Sequence, residues 1–600
     1  MKSNIFLHGL IALGSVGLFG ACASDYLDTT PEANFPDKDA LSTVDNIQLA
    51  LNGISLSMNT QYQSTSWNQY NGESYVNTIC NEAMGQDYIS GLAGAMFSAE
   101  TIKGDNWNNA DMLLNAIPWD YAYGLIQQAN KILDVVDTAE GDEETRAWVK
   151  AQALTYRAHS YTKLLQFYAP RWEDSNNGDT YCLVKRTTGE IKNAPLATMN
   201  DILALVYEDL NTAIALYDQA GNHARDMKWM VDKSIAQGIY ARVAMIKHDW
   251  QTAQKMAHDA RQGYTIMDND TYLSGFYDDN NDNMWTSGSA DEDIYYWSWG
   301  SHYAANGLYV KNWGVGAGAI DLDLYNQMDE NDIRRQLYIT PDKIAFTQSV
   351  NKAWNPGKLE ASDYWDADLV DATKDLNLAA GASSRKEANG KKWGLVNVTM
   401  RYCAYFISDI FKGNYNDCFP GTDNYMAYYA TGQSGQVLLS RGVYGTQVVT
   451  PFGAQLKFIA KAPYGTSKYP FMRAAEMCLT EAEAAWHNND FTTAQNCLKE
   501  INGKRISGYT CTATGEELLK EIQLSRRIEL WGEGFGWSDF KRWNLPINRR
   551  AWVANDPTSG NWMPERAGVV ETTKNHGWMF TLPNSESDYN DQVDRNLLPK

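Results

Sequence analysis

Apolar residues recur at steps of three and four over much of the first 260 positions, which is the spacing of one helix face. In the first such segment they occupy positions 44, 47, 51, 54 and 58, behind Ser42 and Thr43 as possible caps. The stretch 143–168 is a longer case that Pro170 closes. The same pattern predicts further helices at 119–136, 200–217, 233–246, 250–261, 473–486 and 515–533.

Two predicted helices begin in the same way, each just after another helix. Asp249-Trp250 follows the helix at 233–246, and Asp490-Phe491 follows the helix at 473–486, with small residues where the paired helices would approach. The stretches 143–168 and 200–217 make a third pair. Helix, tight turn and helix is the unit of tetratricopeptide-like repeats, whose pairs bury their apolar faces only by stacking. We therefore expect a mainly α fold with a tetratricopeptide-like helix-pair superhelix as its scaffold.

The character of the chain changes between about 266 and 469. Gly, Asn, Asp, Trp and Tyr dominate there, and helical periodicity is weak. We expect a large loop-rich insertion with a few short strands, one of them near 293–299, and we expect it to bind a ligand, since long loops in compact proteins are normally functional. The scaffold would then occupy about 40–265 and 470–545, followed by an extended C-terminal segment at 546–600.

The first residues have the features of a bacterial signal peptide. Lys2 is followed by an apolar stretch from Ile5 to Phe19 and by the small pair Gly20-Ala21. Cys22 comes next, as in a lipobox, which predicts removal of residues 1–21 and acylation of Cys22, with palmitate among the acyl chains. Ordinary secretion without a lipid is the alternative. Residues 22–600 are expected to form a single domain.

The composition limits the classes of molecule that the protein is expected to bind. The formal net charge is −22, which disfavours nucleic acid and anionic lipid surfaces. The chain contains 21 Trp and 35 Tyr. Trp and Tyr combine an apolar face with a polar group, which suits the C–H faces and hydroxyls of sugar rings, although more than half of these rings are expected to fill the core.

The sequence lacks the common motifs of catalytic and nucleotide-binding sites. It has no zinc-protease, nucleophile-elbow, phosphate-loop or dinucleotide-binding motif. The acidic run at 278–283 has the composition of a calcium loop, but it lacks the required Gly and Glu and is predicted to be a solvated loop. We expect no catalytic residue, no metal site and no cofactor.

A dense motif lies between positions 526 and 543. It comprises Arg526-Arg527-Ile528-Glu529-Leu530, Glu533-Gly534, Trp537, Asp539-Phe540 and Arg542-Trp543. This order resembles the signature of the SusD/RagB family, with Phe540 in place of the usual Leu. Further elements of the family pattern are Tyr26-Leu27-Asp28, Asn130, Arg157-Ala158, Asp332 with Arg334, Tyr469-Pro470 to Glu476, Ala482-Glu483-Ala484 and Leu582-Pro583 with Glu586, Asn590 and Asn596.

The resemblance implies a function as well as a fold. Proteins of this kind are outer-membrane lipoproteins on the cell exterior, where they bind oligosaccharide or polysaccharide and deliver it to a SusC-like TonB-dependent transporter. It also implies a shallow platform made by two regions, one after the first helix and around Asn81-Glu82, and one before the Asp332–Arg334 element. The candidate ligand-binding residues are Trp67, Tyr70, Glu73, Asp87, Tyr88 and Trp107 from the first region, and Tyr303, Asn312 and Trp313 from the second.

Two alternatives remain open on sequence grounds. One is a lid of the same transporter type that takes up peptide. The other is a surface glycoside hydrolase with paired carboxylates among Glu529, Glu533 and Asp539. These carboxylates are interleaved with Arg526, Arg527 and Arg542, so we expect a partly buried ion network that keeps them ionised rather than an acid catalyst.

Overall fold

The protein is represented by a computed structural model. The structure describes residues 40–59, 72–91, 109–273, 280–288, 316–339, 394–399, 426–428, 434–440, 454–455, 457–458, 469–551, 558–562, 566–570 and 578–599. The described residues are mainly helical, which confirms the predicted fold class.

Ten longer helices form the scaffold of the described residues. They are α1 (Val44–Asn59), α2 (Leu113–Leu133), α3 (Glu143–Tyr168), α4 (Met199–Gln219), α5 (Lys233–Lys247), α6 (Trp250–Ala260), α7 (Ala474–His487), α8 (Phe491–Arg505), α9 (Gly515–Glu529) and α10 (Gly536–Trp543). Shorter helical segments span Glu73–Tyr75, Val76–Glu82, Val136–Thr138, Trp172–Asp174, Asn269–Leu273, Leu322–Gln327, Ile333–Leu337, Asn584–Tyr589 and Arg595–Leu597.

These helices lie where the spacing of apolar residues predicts them. All five predicted face residues of α1 are buried, and the Thr43 hydroxyl accepts a hydrogen bond from the Asn46 amide at 3.2 Å. Thr198 and Asp201 form a full capping box at the start of α4. Helix α9 ends at Glu529, four residues before the predicted end, and the chain then turns through Gly532 at a φ of +79°.

The helix pairs stack as the repeat pattern predicts. Asp249 and Asp490 cap α6 and α8 by accepting hydrogen bonds from Thr252 and Thr493, each at 3.2 Å. Helices α6 and α7 pack together although more than 200 residues separate them in the chain. Arg242 of α5 donates two hydrogen bonds of 2.7 Å to Glu476 of α7. The two stretches of the predicted scaffold therefore form one packed body.

Thirteen short strands complete the described structure. They are β1 (Tyr88–Gly91), β2 (Tyr181–Val184), β3 (Leu196–Thr198), β4 (Asn283–Thr286), β5 (Gly316–Ile320), β6 (Tyr338–Ile339), β7 (Gly394–Thr399), β8 (Met426–Tyr428), β9 (Ser434–Ser440), β10 (Ala454–Gln455), β11 (Pro470–Arg473), β12 (Ile547–Arg549) and β13 (Gly568–Val570). The sheets have the orders β1-β5-β10-β6, β11-β4, β12-β13, β2-β3 and β7-β9-β8. The predicted strand at 293–299 lies outside the described residues.

The acidic run at 278–283 departs from its prediction as a solvated loop. Asp282 and Asn283, at its end, are fully buried. The Asp282 carboxylate accepts hydrogen bonds from Arg473 at 2.9 Å and from the amides of Met267 and Ala475. Asp282 therefore joins the insertion to the start of α7.

None of the helices in the described ranges is long and apolar enough to cross a membrane.

Candidate functional site

The four-stranded sheet pairs two strands that border segments of the two predicted ligand-binding regions. Strands β1 and β5 are antiparallel, with Tyr88 opposite Ile320 and Gly91 opposite Gly316. Residues 92–108 follow Gly91 in the chain, and residues 289–315 precede Gly316. Both segments therefore join the described chain at the same end of this sheet, although about 200 residues of sequence lie between them.

Six of the candidate ligand-binding residues belong to the segments 60–71, 92–108 and 289–315. They are Trp67, Tyr70, Trp107, Tyr303, Asn312 and Trp313, and all six lie outside the described residues.

The other three candidates lie in the interior, which corrects their prediction as parts of a surface platform. Glu73, Asp87 and Tyr88 are 1%, 3% and 2% exposed. Their positions beside a predicted loop made them look accessible, but each packs against a distant element. Trp285, in the loop-rich insertion, is also fully buried and donates a hydrogen bond to the carbonyl of Trp229 at 3.1 Å.

Glu73 is the centre of a small buried cluster. Its carboxylate lies 2.8 Å from Lys163 Nζ and 3.2 Å from His159 Nε2, and it accepts a hydrogen bond of 2.9 Å from the Tyr121 hydroxyl. Burial alone would raise the pKa of Glu73, but the charges of Lys163 and His159 more than offset it and hold the pKa well below its usual range. Glu73 thus fixes the segment after α1 to helices α2 and α3.

Asp87 and Tyr88 fix β1 to the motif at the end of α9. Arg527 donates hydrogen bonds of 2.6 and 2.8 Å to the two carboxylate oxygens of Asp87. The Trp531 indole donates to the Asp87 carbonyl at 2.8 Å, and its ring centre lies 4.9 Å from that of Tyr88. A bidentate pair with an aromatic contact gives β1 a defined orientation.

Glu529 is the centre of the predicted ion network. Its carboxylate is fully buried and accepts from Arg334 at 3.1 Å, from Arg473 at 3.4 Å and from Arg505 at 3.2 Å. Burial would raise the pKa of Glu529, but these three guanidinium groups hold it well below its usual range. The prediction that this carboxylate stays ionised therefore agrees with its surroundings.

A second carboxylate extends the same network. Glu533 accepts hydrogen bonds from Arg473 at 2.7 Å and from Lys457 at 2.5 Å. The Lys457 ammonium also donates to the carbonyls of Glu529 and Trp531. Lys457 follows β10 of the four-stranded sheet, so the network joins that sheet to the helical scaffold.

The sequence motif supplied the carboxylates but not most of their partners. Arg527, expected beside Glu529 and Glu533, pairs with Asp87 instead. Arg473, Arg505 and Lys457 come from other parts of the chain and were missed. Arg473 had a signal, because it stands within the Tyr469-to-Glu476 motif, whereas Lys457 has no distinguishing pattern around it.

The rest of the motif forms a separate cluster. Arg526 donates to Asp539 at 2.6 Å, and Arg542 donates to Asp539 at 3.1 Å and pairs with Glu483. The Glu483 carboxylate is fully buried and also accepts from the Trp543 indole at 2.8 Å. This cluster fixes α10 against α7.

Asn81 and Glu82, expected beside the ligand, cap helix α10 instead. Asn81 Oδ1 accepts hydrogen bonds from the amides of Trp537 and Ser538, each at 3.0 Å. Glu82 accepts from the amides of Gly534 and Phe535 at 2.7 and 2.9 Å. Burial raises the pKa of Glu82 to about 7, although both amide hydrogen bonds act in the opposite direction.

A steric constraint explains why position 534 of the motif is glycine. Its φ is +94°, and a Cβ atom there would lie 2.5 Å from the Cβ of Asn77. Only glycine fits this turn without strain.

The described ion network therefore acts as a structural support. Glu529, Glu533 and Asp539 are each no more than 6% exposed and are paired with cations. What the support can do is hold β1 and β5, and with them the ends of segments 92–108 and 289–315, in a fixed relation.

Comparisons with known proteins agree with this architecture. Residues 246–599 match the model of the SusD family, and residues 25–245 match a model described as starch-binding and associating with the outer membrane. A SusD-like protein of Bacteroides ovatus is 23% identical over 264 residues, which is 42% of this chain and 40% of that protein. The alignment thus spans less than half of this relative.

Two solved structures are similar over nearly their whole length. A SusD-like carbohydrate binding protein from Bacteroides vulgatus has a TM-score of 0.65 at 19% identity, covering 93% of this chain and 98% of its own. A SusD-like carbohydrate binding protein from Bacteroides fragilis has a TM-score of 0.60 at 15% identity, covering 92% and 99%. At these identities the likeness establishes the fold.

Proposed function

The chain belongs to the SusD family, and from that premise we propose that it is a surface lipoprotein which binds an oligosaccharide or polysaccharide without changing it chemically. It would pass the glycan to a SusC-like TonB-dependent transporter in the outer membrane. The lipid on Cys22 would hold it at the cell exterior.

The pairing of Gly91 with Gly316 carries this proposal. It brings together the ends of two segments that contain Trp107 on one side and Tyr303, Asn312 and Trp313 on the other. Trp313 is only three residues from Gly316, so their Cα atoms are at most about 11 Å apart. Aromatic rings joined to one rigid sheet end suit the stacking that sugar rings require.

The electrostatics support binding rather than hydrolysis. A glycosidase needs one carboxyl group with a raised pKa beside a second that is reachable by substrate. Glu529 has the opposite pKa shift and is fully buried, and the guanidinium of Arg473 lies between it and Glu533 as a shared partner. The motif's carboxylates are thus accounted for by folding.

Similar proteins support the ligand class. Two neighbours in fold carry carbohydrate binding in their names, and the model that matches residues 25–245 is described as starch-binding. A peptide-binding lid of the same transporter type remains the second candidate.

The binding test uses the full mature chain with starch, xylan, mannan and galactan in affinity gels, followed by calorimetry with the polysaccharide that retards it. Trp107→Ala and Trp313→Ala should each weaken binding about tenfold, which is the scale of one lost aromatic contact. Met227→Ala is the control, because Met227 is 55% exposed on the helical scaffold. Equal affinities of all three variants would contradict the platform, and release of reducing ends would contradict the non-catalytic role.

The partner test uses membranes of the native organism. A tagged chain solubilised in mild detergent should copurify with a large β-barrel protein. The retained ligand then separates the two candidates, since glycan is expected and a bound peptide would favour the second.

A further inference from the structure

A separate cleft of about 390 Å³ lies between helix α2 and the C-terminal segment. Trp119 and Tyr123 of α2 form its floor, and the connection between β2 and β3 forms one wall. The short helix Asn584–Tyr589 forms the other wall. Its volume falls within the range of small-molecule sites. None of these elements belongs to the four-stranded sheet, so the cleft is distinct from the platform proposed above.

The floor and walls of this cleft are held by buried polar contacts. Glu586 accepts from the Trp119 indole at 3.1 Å, from Arg186 at 2.7 Å and from the Asn590 amide at 2.7 Å. Asn590 also donates to the carbonyl of Ala194 at 2.8 Å. Three chain segments therefore meet in a fixed geometry, and the cleft is preformed.

Two polar side chains face the cleft. Asp120 and Gln127 line it, and neither side chain makes a hydrogen bond or an ion pair with a side chain that the structure describes; Asp120 is solvent-exposed and Gln127 is half-buried. Desolvation by the walls, together with the nearby charge of Glu586, raises the pKa of Asp120 to about 6. An accessible carboxylate at the edge of a cleft can accept hydrogen bonds from the hydroxyls of a ligand.

Two exposed apolar side chains lie at the rim of the cleft, one on each wall. Tyr589 is 85% exposed and Ile191 is 87% exposed, which are the two largest values among the described exposed apolar residues. Both line the cleft, and a hydrogen bond of 2.7 Å from Asn193 to Asp591 joins the two walls. An exposed tyrosine held beside accessible polar side chains is the combination that stacks on a sugar ring and bonds its hydroxyls.

We propose that this cleft is a second carbohydrate-binding site, which takes one or two residues of a neutral oligosaccharide. The Tyr589 ring packs against the C–H face of a sugar, while Asp120 accepts from its hydroxyls and Gln127 exchanges hydrogen bonds with them. An anionic ligand is disfavoured, because Asp120 and Glu586 place negative charge in the cleft and Arg186 is already paired with Glu586.

The test measures binding of four defined probes, maltohexaose, cellohexaose, xylohexaose and mannohexaose, by saturation-transfer NMR and calorimetry. It is run on the full mature chain and on the Trp313→Ala variant, so that binding at the cleft can be distinguished from binding at the proposed platform. Tyr589→Ala should weaken at least one hexasaccharide about tenfold, and Asp120→Asn about fivefold, in both backgrounds.

Matched controls are Met227→Ala and Asp45→Asn, which change exposed residues of the same kind on the scaffold. Spermidine is added as a competitor to detect a cation site. Binding of no hexasaccharide to the unmodified chain, changes below twofold in both cleft variants, or displacement of the sugar by spermidine would each overturn the proposal. Loss of binding in Trp313→Ala alone would leave the platform standing and refute the cleft.

Discussion

Neutralising Glu529 is the sharpest test of the buried ion network. Glu529→Gln keeps the shape of the side chain but removes the charge that three guanidinium groups share. Arg334 retains Asp332 at 2.7 Å, and Arg473 retains Asp282 at 2.9 Å. Arg505 has no second carboxylate within ion-pair distance among the described residues, and its other contacts are neutral.

The expected loss of unfolding free energy follows from Arg505, which keeps no carboxylate partner among the described residues once Glu529 is neutralised. Breaking a buried pair on one side costs about 3–5 kcal/mol, because the remaining charge is desolvated without compensation. Denaturant unfolding followed by tryptophan fluorescence should show this loss. The control is Glu517→Gln on the same helix, whose side chain is 73% exposed and pairs with the exposed Lys520; its expected effect is below about 0.5 kcal/mol.

Two further measurements separate charge from packing. Adding Arg505→Met to Glu529→Gln should recover about 1–3 kcal/mol relative to the sum of the single variants. The pKa of Glu529 is lowered in the folded state, so its stabilisation is full above the unfolded value of about 4.3 and is lost as the pH falls below it. A Glu529→Gln loss equal to the Glu517→Gln loss, or one that persists unchanged at low pH, would refute the reasoning.

Three other predictions concern the cap, the buried carboxyl beside it and the anchor. Asn81→Ala should cost about 1–2 kcal/mol and should speed amide exchange at Trp537 and Ser538, since both amides lose their acceptor; unchanged exchange would contradict the cap. The pKa of Glu82 is raised to about 7, so the folded state binds a proton more tightly, and stability should fall between about pH 4.5 and 7. Glu82→Gln should flatten that slope in a urea titration across the range, whereas an identical slope in both chains would show that other groups cause it. Cys22→Ala should move the protein from the membrane pellet to the soluble fraction after cell lysis, and continued pelleting would argue against a lipid anchor on this residue.

How far the sequence alone reaches depends on whether an interaction is local. The helix faces are local, since residues three and four positions apart share a side of the helix, and so α1 and α3 could be predicted closely. The caps of α6 and α8 by Asp249 and Asp490 are local too, which is why the repeated turn identified the stacked pairs.

The family motif was recognisable for a related reason. Arg526 to Trp543 is one continuous stretch, and its alternating charges by themselves indicate ion pairs. The sequence also places Trp313 in a region where helical periodicity is weak. These features determined the fold class and the family, and they favoured a ligand over a reaction.

Only the tertiary structure decided which charges meet. Asp87 and Arg527 are 440 positions apart, and Lys457 approaches Glu533 from the end of strand β10. Pairing of buried charges depends on which charged side-chain atoms come within about 4 Å, and no local pattern encodes that distance. For the same reason Glu73, Asp87 and Tyr88 looked accessible beside a loop but lie in the core, because burial is set by the elements that pack over a residue and not by its neighbours in sequence.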